Sequence, residues 1–111
     1  MVSLKKGDIV FMQFDPQSGH EQAGYRPAIV LSKEIFNSRT HFAVVCPITR
    51  QKKGYPFEVE LPEGLEVEGV ILTDQPKSMD CHSRNVRVVG QAPESTVHTC
   101  IKRIHTFLSL D

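Results

Sequence analysis

Short runs of alternating or clustered apolar residues fill most of this chain, and the period changes only near its C-terminus. Asp8 to Phe14 is apolar on both faces, so it reads as a buried first strand. Asp15 to Tyr25 carries Pro16, Ser18, Gly19 and Gly24, a composition that predicts a long loop of the kind that often carries function. Pro27 opens a second strand over Ala28 to Leu31, a position where proline is tolerated. Ser32 can cap a helical turn through Phe36, and Asn37 can end it. Phe42 to Ile48 makes a third strand, followed by a loop over Thr49 to Pro56. Phe57, Val59 and Leu61 alternate with Glu58 and Glu60, which predicts a half-exposed fourth strand. A turn at Pro62-Glu63-Gly64 leads to a fifth strand over Gly69 to Gln75. Pro76 to Asn85 is expected to be irregular or a turn of helix, and Val86 to Gly90 is the sixth strand. Pro93 and Glu94 then suit a helix start. Val97, Ile101, Ile104 and Leu108, with Cys100 and Phe107 beside them, form one apolar face of a helix of about four turns. Lys102 and Arg103 lie on the opposite face.

Short antiparallel strands followed by one packing helix predict a mostly β domain, a small half-open antiparallel barrel with a C-terminal helix. With 111 residues and a 40% apolar fraction, the chain suits one domain over residues 1–111, with a core small enough to gain from burial in an oligomer. No apolar run approaches the roughly 18 residues of a membrane span. The N-terminal segment lacks the apolar stretch of a signal peptide, so the expected location is cytoplasmic. Cys46, Cys81 and Cys100 form no C-x-x-C pair, and His20, His41, His82, His98 and His105 show no metal-ligand spacing. The chemistry is therefore expected to need no metal and no other cofactor. The net charge is zero, but Arg50, Lys52 and Lys53 are followed by Glu58, Glu60, Glu63, Glu66 and Glu68. That pattern suggests a basic surface and a separate acidic one, or simply solvated loops.

Two loops concentrate reactive side chains. The first, Gly19-His20-Glu21-Gln22-Ala23-Gly24-Tyr25-Arg26-Pro27, holds a carboxylate, an amide, an aromatic ring and a guanidinium. The second, Thr49-Arg50-Gln51-Lys52-Lys53-Gly54-Tyr55-Pro56, holds a hydroxyl, an amide and three cations. If the second and third strands are neighbours, Arg26 and Thr49 approach each other. RNA cleavage by the 2′-hydroxyl needs such donors, because negative charge builds on the phosphate oxygens in the transition state. Guanidinium meets those oxygens in a planar fork that lysine does not reproduce. A proton must also leave the 2′-hydroxyl and another reach the departing 5′-oxygen. The same residues also admit plainer readings: Arg26 in a surface ion pair with Glu21, Thr49 as a β-former, each tyrosine as ordinary packing.

At these residues the chain resembles the MazF/PemK toxins. The similarity runs through Gly7-Asp8-Ile9-Val10, then Phe14-Asp15-Pro16 with Gly19 to Leu31. It continues in Pro47-Ile48-Thr49 with Lys53 to Phe57, and ends in Gly69-Val70 with Asp74 to Asp80. The resemblance implies the CcdB/MazF fold, an SH3-like half-open barrel. It implies a homodimeric toxin of a type II toxin–antitoxin system that cuts single-stranded RNA, chiefly mRNA, at short motifs without a metal. Expected products carry 2′,3′-cyclic phosphate and 5′-hydroxyl ends. The expected partner is a MazE-like antitoxin whose acidic C-terminal segment competes with RNA for one groove.

Carried over residue by residue, Arg26 matches the family's catalytic arginine and Thr49 its catalytic threonine. Glu21 is the expected base or orienter of Arg26, with His20 a second candidate base and RNA contact. Gln22, Gln51, Gln75 and Lys77 are candidate RNA contacts, with Tyr25 and Tyr55 as stacking platforms. Arg50, Lys52 and Lys53 are expected to track phosphates. Two departures from the family pattern are Pro76, which would end the fifth strand early, and the unusually basic Arg50 to Lys53. A CcdB-like gyrase poison shares the fold, but that activity is associated with a C-terminal Trp-Gly-Ile tail, and this chain has no tryptophan and ends Leu108-Ser109-Leu110-Asp111. A peptide-binding module without turnover is the other alternative.

Overall fold

The computed structural model describes residues 3–14 and 24–111. Seven strands and two helices follow in the order β1 (Asp8–Gln13), β2 (Tyr25–Val30), α1 (Glu34–Thr40), β3 (Phe42–Thr49), β4 (Glu58–Glu60), β5 (Val70–Leu72), β6 (Lys77–Asp80), β7 (Arg87–Gln91) and α2 (Glu94–His105). The strands form an antiparallel sheet in the order β4-β5-β3-β2-β1-β7, with β6 paired to β3 off that path. The sheet is open rather than closed on itself. β3 is its hinge: Phe42 to Val45 pair with β6, while Ile48 and Thr49 pair with β5.

Both faces of the central strands are buried, which is why β1 carries no polar stripe. Ile9, Ile29, Cys46, Ile48 and Ile71 pack with Val97 and Cys100 of α2 on one side. Val10, Met12, Ala28, Val30, Ala43 and Val45 pack with Leu4, Phe14 and Met79 on the other. Pairing between β2 and β3 runs from Val30 opposite Val45 to Ala28 opposite Pro47. Pro27 and Pro47 have no N–H to donate to a ladder, and the pairing stops there. Arg26 and Thr49 lie just beyond that last pair.

Several expectations change. Ser32 does not cap α1; Lys33 does, without a side-chain bond, and the helix runs on to Thr40 before His41 ends it at φ 64°. Asn37 is buried inside this helix rather than terminating it, because Leu4 and Ser32 satisfy its amide. The stretch after Pro76 contains a strand, β6, whose backbone pairs with β3. The apolar face of α2 is shorter than its pattern suggested: Val97, Cys100 and Ile104 meet the core, whereas the helix ends at His105 and leaves Leu108 67% exposed. Arg103, placed on the outer face by its spacing, reaches the carbonyl of Pro56. The fifth strand ends at Leu72, ahead of Pro76. No helix among the described residues is long and apolar enough to cross a membrane.

Candidate active site

At the open end of β2 and β3 a cleft of about 490 Å³ is lined by Phe11, Tyr25, Arg26, Pro27, Ile48, Thr49, Arg50, Gln51, Glu66, Val67 and Glu68. Arg26 and Thr49 are therefore in one cavity. Counting two residues past the Ala28–Pro47 pair reaches Arg26 on β2 and Thr49 on β3. Thr49 is buried, and its Oγ1 accepts the Gln51 N–H at 3.2 Å. That local turn fixes the oxygen and leaves the hydroxyl hydrogen to donate. Arg26 is exposed to the cleft.

Tyr25 stands at the rim. Its ring stacks on Phe11 with centroids 5.8 Å apart, and its hydroxyl donates to the Asn85 carbonyl at 3.1 Å. One face is thus used within the fold, and the residue remains 41% exposed. His20, Glu21 and Gln22 lie outside the described residues.

The rest of the basic loop does not line the cleft. Lys52 is ion-paired with Glu60, and Glu58 accepts the N–H groups of Lys53 and Gly54 at 2.9 and 2.8 Å. A carboxylate cradled by two amides holds this loop in shape. Tyr55 donates to Asp74 at 2.9 Å; burial and that carboxylate push its hydroxyl up to about 12, so it stays neutral. Gln75 is half-buried in the turn after β5, its Oε1 without a partner, and Lys77 lies in β6 opposite Val45. Arg50 and Gln51 are in the cleft, whereas Lys52, Lys53, Tyr55, Gln75 and Lys77 are outside its lining.

Glu66 and Glu68 were not singled out by sequence as site residues. Glu66 and Glu68 share the cleft with Arg26 and Arg50, while Glu60 pairs with Lys52 and Glu58 holds the backbone of the basic loop. Val67, between them, is buried in the core, and Gly69 presses the chain onto the Thr49–Arg50 peptide. The only signal in the sequence was that buried valine flanked by two charges and followed by glycine. Among the described residues, no group of three or more His, Cys, Asp or Glu side chains is placed to hold a metal ion.

The chain is similar to known proteins along most of its length. Residues 5–108 match the model of the family described as PemK-like, MazF-like toxin of type II toxin–antitoxin system. The endoribonuclease toxin MazF of Escherichia coli (strain K12) is 48% identical over 89 residues, covering 79% of each chain. The endoribonuclease toxin ChpB of the same strain is 39% identical over 107 residues, covering 91% of this chain and 90% of that protein. Among solved structures, MazF from Deinococcus radiodurans superposes with a TM-score of 0.94 at 39% identity, over 99% of this chain and all of that one. A chain of the MazE–MazF complex from the same organism superposes with a TM-score of 0.87 at 33% identity, over the full length of both.

Proposed function

This chain belongs to the PemK-like, MazF-like toxins of type II toxin–antitoxin systems, and from that premise we propose that it is an endoribonuclease that cuts single-stranded RNA in the cleft of Arg26 and Thr49. The observation that carries the reading is that Arg26 and Thr49 line one cavity, at the end where β2 and β3 stop pairing. The 2′-hydroxyl oxygen attacks the adjacent phosphorus, its proton leaves to a base, and the bond to the 5′-oxygen breaks as that oxygen takes up a proton. The ends are a 2′,3′-cyclic phosphate and a 5′-hydroxyl. Water is not consumed in this step, and no metal is required.

Arg26 offers a permanent charge and two parallel N–H donors to the nonbridging oxygens as their charge grows. Thr49 donates one further hydrogen bond, from an oxygen already anchored by Gln51. Arg26 is a poor proton acceptor, because a guanidinium keeps its charge in proteins. Glu21 is the candidate for that proton, with His20 second. Arg50 and Gln51 extend the cleft along the RNA backbone and bases. The working form is a homodimer in the cytoplasm, and its regulator is a MazE-like antitoxin whose acidic C-terminal segment occupies the same groove.

The test is cleavage of a long unstructured RNA in the presence of a chelator, with the 5′ ends of the fragments mapped. Arg26→Ala is expected to fold and to lose at least about 10²-fold in kcat/KM. Thr49→Val should lose about tenfold, the scale of one neutral hydrogen bond. Full activity in both variants, or activity abolished by the chelator, refutes this mechanism.

A further inference from the structure

A cleft built only to grip phosphates would be lined by cations. This one sets Glu66 and Glu68 against Arg26 and Arg50, so its charged lining sums to zero. A carboxylate facing a phosphate repels it, and desolvation of the cleft by RNA strengthens that repulsion. The backbone that carries the two acids is nevertheless held in place. Buried Val67 roots the segment between them. Gly69 packs on the Thr49–Arg50 peptide so closely that a Cβ would fall 2.3 Å from the Thr49 carbonyl oxygen. The stem of Glu66 lies over Gly90 of β7, at 3.6 Å from where a Cβ would stand there. Neither carboxylate is in an ion pair or hydrogen bond among the described residues. Two exposed acceptors on a rooted segment, unused among the described residues, border the place where a scissile phosphate would sit.

An ionised carboxylate accepts hydrogen bonds and donates none. The parts of single-stranded RNA that suit it are the amino groups on base edges. Adenine and cytosine each present one such group on the Watson–Crick edge, and guanine presents an amino group beside a ring N–H. Uracil offers one N–H flanked by two carbonyl oxygens, which a carboxylate repels. We propose that Glu66 and Glu68 read a base next to the cleaved bond, selecting one that bears an amino group and rejecting uracil. This rests on the reading of the cleft as an RNA-cleaving site. The repulsion from phosphate is then useful, because it keeps the backbone on the Arg26 side and turns the base toward the acids.

The experiment uses short RNAs carrying the mapped cut motif, with each of the four bases placed in turn at every position flanking the cut. Values of kcat/KM are compared for wild type, Glu66→Gln, Glu68→Gln and the double variant. Glutamine keeps the shape but both donates and accepts, so it tolerates uracil carbonyls. Wild type is expected to disfavour uracil at one flanking position. At least one variant should raise the relative kcat/KM for uracil there by about tenfold, with preferences elsewhere unchanged. The proposal is overturned if wild type is indifferent to uracil at every flanking position, or if all variants keep the wild-type preference. It is also overturned if the variants lose kcat equally on every substrate together with the acid limb of the pH profile, since that marks a proton-transfer role. Failure of wild type to cut any RNA removes the site reading itself, whereas an unchanged base preference in an active enzyme removes only this inference.

Discussion

Gly69 sits at φ +132°, where side chains are rarely found, and its Cα faces the Thr49 carbonyl so closely that no Cβ fits. The obstacle is backbone, not a flexible side-chain tip, so any replacement must push β5 away from β3. Gly69→Ala should therefore lower stability by about 1–3 kcal/mol and lower cleavage further than the lost stability explains, because Thr49 moves with its peptide. Urea unfolding and kcat on a folded sample separate the two effects; unchanged values of both would show that the contact is not constraining. At this scale the sequence exposed the chemistry better than the geometry. Arg26 and Thr49 were assigned through the resemblance to the MazF/PemK toxins, and residue type alone left only a pair of polar loops. Glu66 and Glu68 did not stand out, because which loop folds back over a strand end depends on a glycine contact between residues twenty apart in the chain. The ion pair of Lys52 with Glu60, across the turn, was likewise not foreseen.

Elements defined by their own periodicity were legible, and those defined by a partner were not. β1, β3 and α2 carry enough apolar residues to declare themselves. β6 has a single buried apolar residue, Met79, and exists because the first half of β3 offers a ladder. The helix α1 was misread at both ends because Ser32 and Asn37 use their side chains on each other: Ser32 Oγ donates to Asn37 Oδ1 at 2.5 Å and accepts from Val44 N–H at 2.9 Å. The Asn37 amide donates in turn to the Leu4 carbonyl at 2.9 Å, tying helix, third strand and N-terminal segment together. Asn37→Ala leaves the buried partners unsatisfied, and we expect a loss of about 1–3 kcal/mol, read as a lower urea midpoint at unchanged slope. A loss under about 0.5 kcal/mol would mean that water replaces the amide. The far end of α2 works on the other loop: Arg103 reaches the Pro56 carbonyl, and Phe57 meets Phe107 edge-on at 5.5 Å.

Across the whole molecule, the fold class followed from short strands plus one terminal helix, but the sheet order did not, since β5, β3 and β2 are joined by non-local pairing. Global stability should also respond to alkali. Burial pushes the thiol of Cys100 up to about 12 and that of Cys46 higher still, and Tyr55 is raised to about 12. Each group has a higher pKa folded than unfolded, so unfolding releases protons above the ordinary thiol value of about 8.5. Stability is complete below that value and falls as pH climbs toward about 12. Urea midpoints at neutral pH and near pH ~10.5 check this; a midpoint that does not fall contradicts the burial. The β2–β3 ladder carries a different kind of consequence. Arg26 and Thr49 are matched by counting residues outward from Val30 and Val45. Chain inserted in the α1 excursion leaves that count alone, so descendants of this protein can lengthen it and keep the enzyme. One residue inserted between Pro27 and Val30 would swing the guanidinium to the reverse side of the sheet.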